Sequence, residues 1–404
     1  MASLFPFRPV RPGAATAVRV AAVPYDVVST EEARALAQDS LSFLHVSRAE
    51  IDLPSDTPPY SDTVYGKAAS SFEALKVAAP LVRETEPSLY VYLLEMDGRR
   101  QVGLAGTFSI DEYDGGLIKR HELTRRDKED DRTRHILRLR AQTGPVFLVH
   151  RTAPDVEAIV GRAMTAPALL DFVAVDGVRH ALWRVPNTDL DRLVSAFGAM
   201  SALYIADGHH RAASASRVRR ELAASGAGAG EWDHFLAVAF SEREVRILPY
   251  NRMVKDLVQY TPTSFLDALR TRFAVNEGPA TPRQRGDVSM RLDGRWYVLH
   301  LGEAHAGLPA ADRLDVSRLQ DAVIGPMLGI GDVRSDPRIE FVGGARGTGA
   351  LEAHVASGRA AVAFSMYPVG IDDLMAISDE GGIMPPKSTW FEPKLRDGLL
   401  LHAF

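Results

Sequence analysis

Cysteine is absent from the 404 residues of this chain. Disulfides, thiolate metal sites and cysteine nucleophiles are therefore excluded. Long apolar runs are missing too. No uncharged hydrophobic stretch reaches the roughly 18 residues that a membrane-spanning helix needs. The opening MASLFPFRPVRPG lacks a long apolar core and is broken by Arg and Pro, so no secretory signal is expected there. Positive charge is not in excess: 47 Lys and Arg stand against 52 Asp and Glu, a net charge of −5. That balance argues against a general polyanion-binding surface, and with it against nucleic acid as a partner. Repeats and low-complexity tracts are lacking. What remains, 46% hydrophobic and 25% charged residues, is the composition of an ordinary globular protein. A cytoplasmic protein without a membrane partner is expected.

The pattern along the chain mixes hairpins with helices. Ser88–Met96 and Val102–Ile110 read as two strands about the turn Asp97-Gly98, and Val288–Leu301 as a second hairpin about Asp293-Gly294. Ala17–Val28 suggests a strand, Ser29-Thr30-Glu31-Glu32 opens a helix, and Thr63–Val77 reads as a longer amphipathic helix. This mixture predicts an α+β (mixed α/β) fold and not a regular doubly wound sheet. A break near Gln259–Thr263 would give a main domain over 1–260 and a C-terminal region over 261–404.

The most pointed stretch is IADGHHRAASASRVRREL, from Ile205 to Leu222. The apolar run Leu203–Ala206 has strand character, and Ala212 onward favours helix up to the glycine-rich breaker at Ser225–Gly228. DGHHR thus lies at a strand-to-helix turn. Asp207 is placed to cap the helix, and Gly208 permits a tight turn or a close ligand. The amides that follow sit at the positive end of a helix dipole, which suits an anion. His209, His210 and Arg211 add donors, and Arg grips phosphate with two parallel bonds. A metal is the weaker guest here. Adjacent histidines point different ways on a helix, and no His-x-x-x-His or cysteine partner stands nearby.

Three further stretches carry chemistry-bearing residues. IKRHELTRRDKEDDRTRH, Ile118 to His135, is either a solvated, salt-bridged helix face or a phosphate site. In the second case Lys128 and Arg132 would neutralise phosphate, and Glu122 or Asp131 would hold Mg²⁺ or accept a proton. GIMPPKSTWFEPKLRDGLLLH offers Lys387, Ser388 and Thr389 without the glycines of a Walker loop. Trp390 and Phe391 read as packing, and Lys394 as equally a surface residue. PYDVVSTEEA and FLHVSRAEIDLP place Asp26, His45, Arg48, Glu50 and Asp52 beside apolar runs. A carboxylate there would serve as a general base, unless these are turn and capping residues.

In this order FPF, PYDVVS, FLHVSRAEIDLP, KRHELT with KEDDR, ADGHHR, LPYNRMVKDL and MPPKSTWFEPKLRDGL resemble domain-of-unknown-function family 1015, from about Phe5 to His402. The DGHHR element is similar to the signature of the ParB/sulfiredoxin-like superfamily, which includes a free-serine kinase. The resemblance implies a ParB/sulfiredoxin-like strand–turn–helix core with additional α+β segments. It also implies that Asp207, Gly208, His209, His210 and Arg211 carry phosphate binding and catalysis, with Glu50 as the nearest analogue of the kinase's catalytic acid. The expected function is a phosphoryl-transfer enzyme acting on a small hydroxylated metabolite, foremost a nucleotide-dependent kinase of free serine. Arg48, Thr124, Lys128, Arg132, Lys387, Ser388 and Thr389 would contact phosphate or substrate. Asp207 or Glu122 would hold Mg²⁺, and ATP or ADP would be the nucleotide. A phosphatase of phosphoserine-like metabolites, a nucleotide-sensing regulator without turnover, and an acid–base isomerase using His121 and Glu122 are the alternatives.

Overall fold

A computed structural model describes residues 2–404. The chain divides into two compact units, Met1–Val245 together with Pro393–Phe404, and Arg246–Glu392. The first unit is built on a nine-stranded mixed sheet. Its strands are β1 (Leu4–Phe5), β2 (Tyr90–Met96), β3 (Arg99–Ser109), β4 (Ile118–Lys119), β5 (Val146–His150), β6 (Leu170–Val173), β7 (Arg179–Arg184), β8 (Leu203–Asp207) and β9 (His234–Ser241). The order across the sheet is β4-β8-β5-β9-β3-β2-β7-β6, with β1 also on β3. Only β4–β8 and β5–β9 run parallel. The central strands β5 and β9 are apolar along nearly their whole length and buried on both faces, as strands covered on two sides must be. Asp97 and Gly98 take positive φ values of 53° and 74°, the conformation a two-residue hairpin demands.

Six helices of this unit position the site: α1 (Thr30–Leu36), α2 (Leu44–Ser47), α3 (Asp62–Ala78), α4 (Arg126–Leu139), α5 (Asn187–Gly198) and α6 (His209–Ala224). A capping box of Ser29 and Glu32 starts α1. α4 packs against both α3 and α6. One core lies about the sheet, through Leu93, Phe108, Leu148, Phe197 and Phe235. A second lies among the N-terminal helices, through Phe43, Leu44, Val64 and Phe72.

Two expectations are corrected. Ala17–Val28 is not a strand: Ala17–Val20 forms one helical turn. Ala17 and Val20 are buried while Val18 is exposed, an i, i+3 pattern that a short alternating reading mistakes for period two. The DGHHR helix starts at His209, three residues earlier than composition suggests. Gly208 at φ +90° turns the chain sharply enough for the histidines to form the first helical turn.

The second unit has a six-stranded sheet of β10 (Tyr250–Val254), β11 (Ala274–Glu277), β12 (Asp287–Leu292), β13 (Arg295–His300), β14 (Ile339–Gly343) and β15 (Val362–Ser365). Their order is β11-β13-β12-β15-β10-β14. No helix among the described residues is long and apolar enough to cross a membrane.

Candidate functional site

The strand-to-helix corner forms where sequence places it. β8 pairs with β5 through a shift of register between Ile205 and Asp207. Such a bulge re-aims the side chains that follow it. Asp207 is the last strand residue and Gly208 the helix cap. The Gly208 amide donates to Asp207 Oδ1 at 2.8 Å, and Lys394 Nζ donates to Asp207 Oδ2 at 2.7 Å. Burial alone would raise this carboxyl, but Lys394 and Arg211 outweigh it and hold Asp207 well below the usual carboxylate range. Lys394 is therefore no surface residue.

Arg211 runs inward along the same corner. Its Nη1 donates to the Pro145 carbonyl at 3.0 Å. Its Nη2 lies 3.5 Å from Asp26 Oδ1 and 3.7 Å from Asp397 Oδ1. Asp397 is 2% exposed, and burial, with Asp26 adding to it, pushes its carboxyl up to about 6 against the pull of Arg211. The ring of Tyr25 lies between two guanidiniums, 4.1 Å from that of Arg132 and 5.6 Å from that of Arg211. Gly144 makes the Asp397 position possible, because a Cβ there would fall on Asp397 Oδ1. Gly144→Ala is expected to lower unfolding stability by about 1–3 kcal/mol, the usual cost of overpacking. A urea melt with an unchanged midpoint would show that Asp397 moves aside freely.

Next to this network lies a cavity of about 380 Å³. Tyr25, Arg48, Glu50, Tyr60, Tyr65, Lys128, Asp131, Arg132 and His135 are among its lining residues. Four of them, Lys128, Asp131, Arg132 and His135, follow each other at i, i+3, i+4 and i+7 on α4, so one helix face supplies them. Arg48 is held by Glu50 at 2.6 Å, by the Tyr25 and Val28 carbonyls at 2.7 Å each, and by Thr30 Oγ1 at 2.9 Å. Lys128 Nζ donates to Tyr60 Oη at 3.0 Å. Tyr65 Oη and Arg132 Nε both reach Asp131, each at 2.9 Å. The outer face of α4 is the salt-bridged surface that its charge pattern also allows, with Arg125 on Asp127 and Arg134 on Asp62. The salt-bridged reading thus describes one side of the helix, and the other side lines the cavity.

The remaining predicted residues fall in three places. His121, Glu122 and His209 cluster just beyond the ends of β4 and β8. His210 turns from them, and its Nε2 accepts the Arg125 amide at 3.0 Å. Thr124 donates to Glu129 in the first turn of α4. Lys387, Ser388 and Thr389 belong to the second unit. There Ser388 is buried with its Oγ on the Pro385 carbonyl at 2.6 Å, and exposed Lys387 lies over the Tyr250 ring at 5.4 Å. Trp390 and Phe391 form a short strand against Ile247–Leu248, so they pack as expected. Composition gave no signal for Tyr25, Tyr60, Tyr65, Lys394 or Asp397.

A family model described as a protein of unknown function, DUF1015, matches residues 4–317. The chain belongs to this family. Among solved structures, this DUF1015 chain is similar to a free serine kinase in complex with AMP, at 13% identity and TM-score 0.36, over 72% of this chain and 90% of that one. It is similar to SbnI with a C-terminal truncation from Staphylococcus aureus, at 12% identity and TM-score 0.38, over 73% and 86%. A conserved hypothetical protein from Pyrococcus furiosus is similar at 14% identity and TM-score 0.35, over 72% and 93%. No curated protein matches the chain.

Proposed function

We propose that this DUF1015 protein transfers a phosphoryl group between a nucleotide and the hydroxyl of a small metabolite, with free serine or a close relative as the leading acceptor. One observation carries the reading: Arg48, Glu50, Lys128 and Arg132 converge on one cavity of about 380 Å³. That volume lies within the range of small-molecule sites. Phosphoryl transfer asks a protein mainly for positioning and for charge placed around the moving group. Three cations, Arg48, Lys128 and Arg132, stand about this small cavity beside three carboxylates, Asp26, Glu50 and Asp131, and together they supply the charged groups such a step needs. The choice of serine rests on the resemblance of the motifs.

In this reading Lys128 and Arg132 face the transferred group. Glu50, fixed by Arg48, accepts the proton of the acceptor hydroxyl. The hydroxyl oxygen bonds to phosphorus as the bond from phosphorus to the nucleotide's bridging oxygen breaks. Arg211 and Asp397 act as positioning residues, since their charges face each other, and the neutral ring of Tyr25 lies against the Arg211 guanidinium. Asp207 has both oxygens engaged, one by the Gly208 amide and one by Lys394. Glu122 stands beside two imidazoles. These acids do not make the all-oxygen shell that Mg²⁺ prefers.

Phosphorus NMR of the full chain with ATP, MgCl₂ and serine tests the reading. Glu50→Gln is expected to lower turnover by about 100-fold or more, with a melting point within about 4 °C of the parent. Lys128→Met should lower kcat more than it raises KM. Phosphate released from phosphoserine without nucleotide would assign the hydrolytic form of the same chemistry. The reading fails if there is no transfer and neither serine, phosphoserine, AMP, ADP nor ATP shifts the melting point.

A further inference from the structure

We propose that His121, Glu122 and His209 bind a divalent transition-metal ion of the zinc class. The site is made by topology. β4 and β8 run parallel, with Ile118 opposite Leu203 and Lys119 opposite Tyr204. Both chains therefore leave the sheet at the same end. His121 and Glu122 follow β4 within three residues, and His209 follows β8 within two. One ligand atom from each residue falls within 4.8 Å of the others. The imidazoles of His121 and His209 stand 4.5 Å apart, nearly perpendicular at 89°.

A second observation asks for a ligand at this place. His121 is 2% exposed and His209 5%. Both ring nitrogens of His121 and Nε2 of His209 are buried without a hydrogen-bond partner. Such atoms are costly to leave unsatisfied, and native interiors hold few of them. The perpendicular rings allow one N–H to meet the other ring's face. That contact and the Ile205 carbonyl, which bears on His121, account for two of the three nitrogens and leave one unpaired. A metal ion uses the lone pair of each neutral imidazole and the Glu122 carboxylate together.

The donor set chooses the class of ion. Two imidazoles and one carboxylate suit zinc, cobalt or manganese, and magnesium and calcium take oxygen. Around a tetrahedral zinc ion, bonds of about 2.0–2.2 Å place neighbouring ligand atoms roughly 3.4 Å apart. Small side-chain rotations close the present spacing to that value. His₂Glu with an open fourth position is the composition of catalytic and not of structural zinc sites. This assignment stands apart from the phosphoryl-transfer reading, because its evidence is the three ligands alone.

The test strips the full-length protein with a chelator and titrates Zn²⁺, Co²⁺, Mn²⁺ or Mg²⁺ separately. Bound metal is read by elemental analysis, and Co²⁺ also by its visible absorption. One Zn²⁺ or Co²⁺ per chain and a rise in melting temperature are expected, with Mg²⁺ giving neither. Glu122→Gln, at a half-buried position, should weaken Zn²⁺ by at least about tenfold, the loss that even an outer-shell partner produces. His209→Ala should abolish stoichiometric binding, and His210→Ala on the same turn should retain it. If His209→Ala fails to fold, Glu122→Gln and the cobalt spectrum decide. Sub-stoichiometric zinc in the parent protein overturns the proposal. So does a preference for Mg²⁺, or zinc affinity unchanged in Glu122→Gln.

Discussion

Lowering the pH from 7 to 5 is expected to destabilise the first unit. Leaving His121 and His209 aside, four more of its histidines are buried: His135, His150, His180 and His402 are each at most 3% exposed. Burial pushes all four below the ordinary imidazole value, His135 to about 3. Their contacts agree with neutral rings. His180 stands between Tyr92 Oη on Nδ1 and Arg396 Nε on Nε2, both at 3.0 Å. Since the Arg396 N–H can only donate, Nε2 must accept, and a proton there would face a cation. His135 and His402 each meet one backbone carbonyl through Nε2, and His150 meets one through Nδ1.

The sign follows from proton counts. Below about pH 6.5 the unfolded chain takes up protons on these rings while the folded chain does not, so stability falls as pH falls. A ring that stays neutral in the folded chain contributes up to about 1.4 kcal/mol per pH unit once well below that value, and His135, held near 3, does so throughout this range. Asp397 works the other way. Its folded carboxyl, raised to about 6, binds a proton before the unfolded one does, so it adds stability between about pH 6 and 4. One acid offsets about one histidine. The remaining histidines set a net loss of stability that grows as the pH falls. Circular dichroism against pH, with Trp183 and Trp232 as reporters in a Trp296→Phe/Trp390→Phe background, measures it. The second unit has no buried histidine among the described residues, so Trp296 and Trp390, followed in the reciprocal Trp183→Phe/Trp232→Phe background, should not show the same transition. A urea midpoint of the first unit that is unchanged between pH 7 and pH 5 would refute the claim.

Arg211→Met is expected to cost about 3–5 kcal/mol at pH 8, the range for removing one partner of a buried ion pair. Arg211 is the cation nearest to both Asp26 and Asp397 in the corner network. The Asp397 side chain is only 3% exposed. Without the cation its folded carboxyl rises further, so the penalty is fullest at high pH and shrinks towards pH 6. Arg211→Met/Asp397→Asn should recover much of the loss, because it removes the stranded charge with its partner. Urea unfolding at pH 8 and pH 6 gives both numbers. A single-variant cost under about 1 kcal/mol, or a double variant no better than the single, would mean that water and not Arg211 carries the Asp397 charge.

Local elements were readable wherever neighbours in sequence decide them. The hairpin at Asp97-Gly98, the capped start of α1 and the DGHHR turn all depend on residues within a few positions. The convergence on α4 was also open to reading, since Lys128, Asp131, Arg132 and His135 share one face at i, i+3, i+4 and i+7. What sequence could not supply was contact across the chain. His209 meets His121 because two strands some 85 positions apart pair in parallel, and no spacing within one motif encodes that meeting. Lys394 and Asp397 looked like ordinary tail residues. Their burial depends on the chain returning to the first unit after 147 residues of the second, from 246 to 392. Arg48 and Glu50 were legible as polar groups beside apolar runs, but their mutual pairing needs the turn at Ala49 to be folded.

That return has a consequence during synthesis. A ribosome adding about 5–20 residues per second has made the nine-stranded sheet well before Lys394, Arg396 and Asp397 emerge. For roughly 7–30 s the nascent first unit holds Asp207, His180 and Arg211 without their late partners. It waits as an incomplete precursor, and its last segment docks only when the intervening unit has left the exit tunnel. The entry and exit of that unit, Ile247–Leu248 and Trp390–Phe391, are themselves paired as strands. Closing this small clasp brings the two ends of the insertion side by side and shortens the loop the late segment must span.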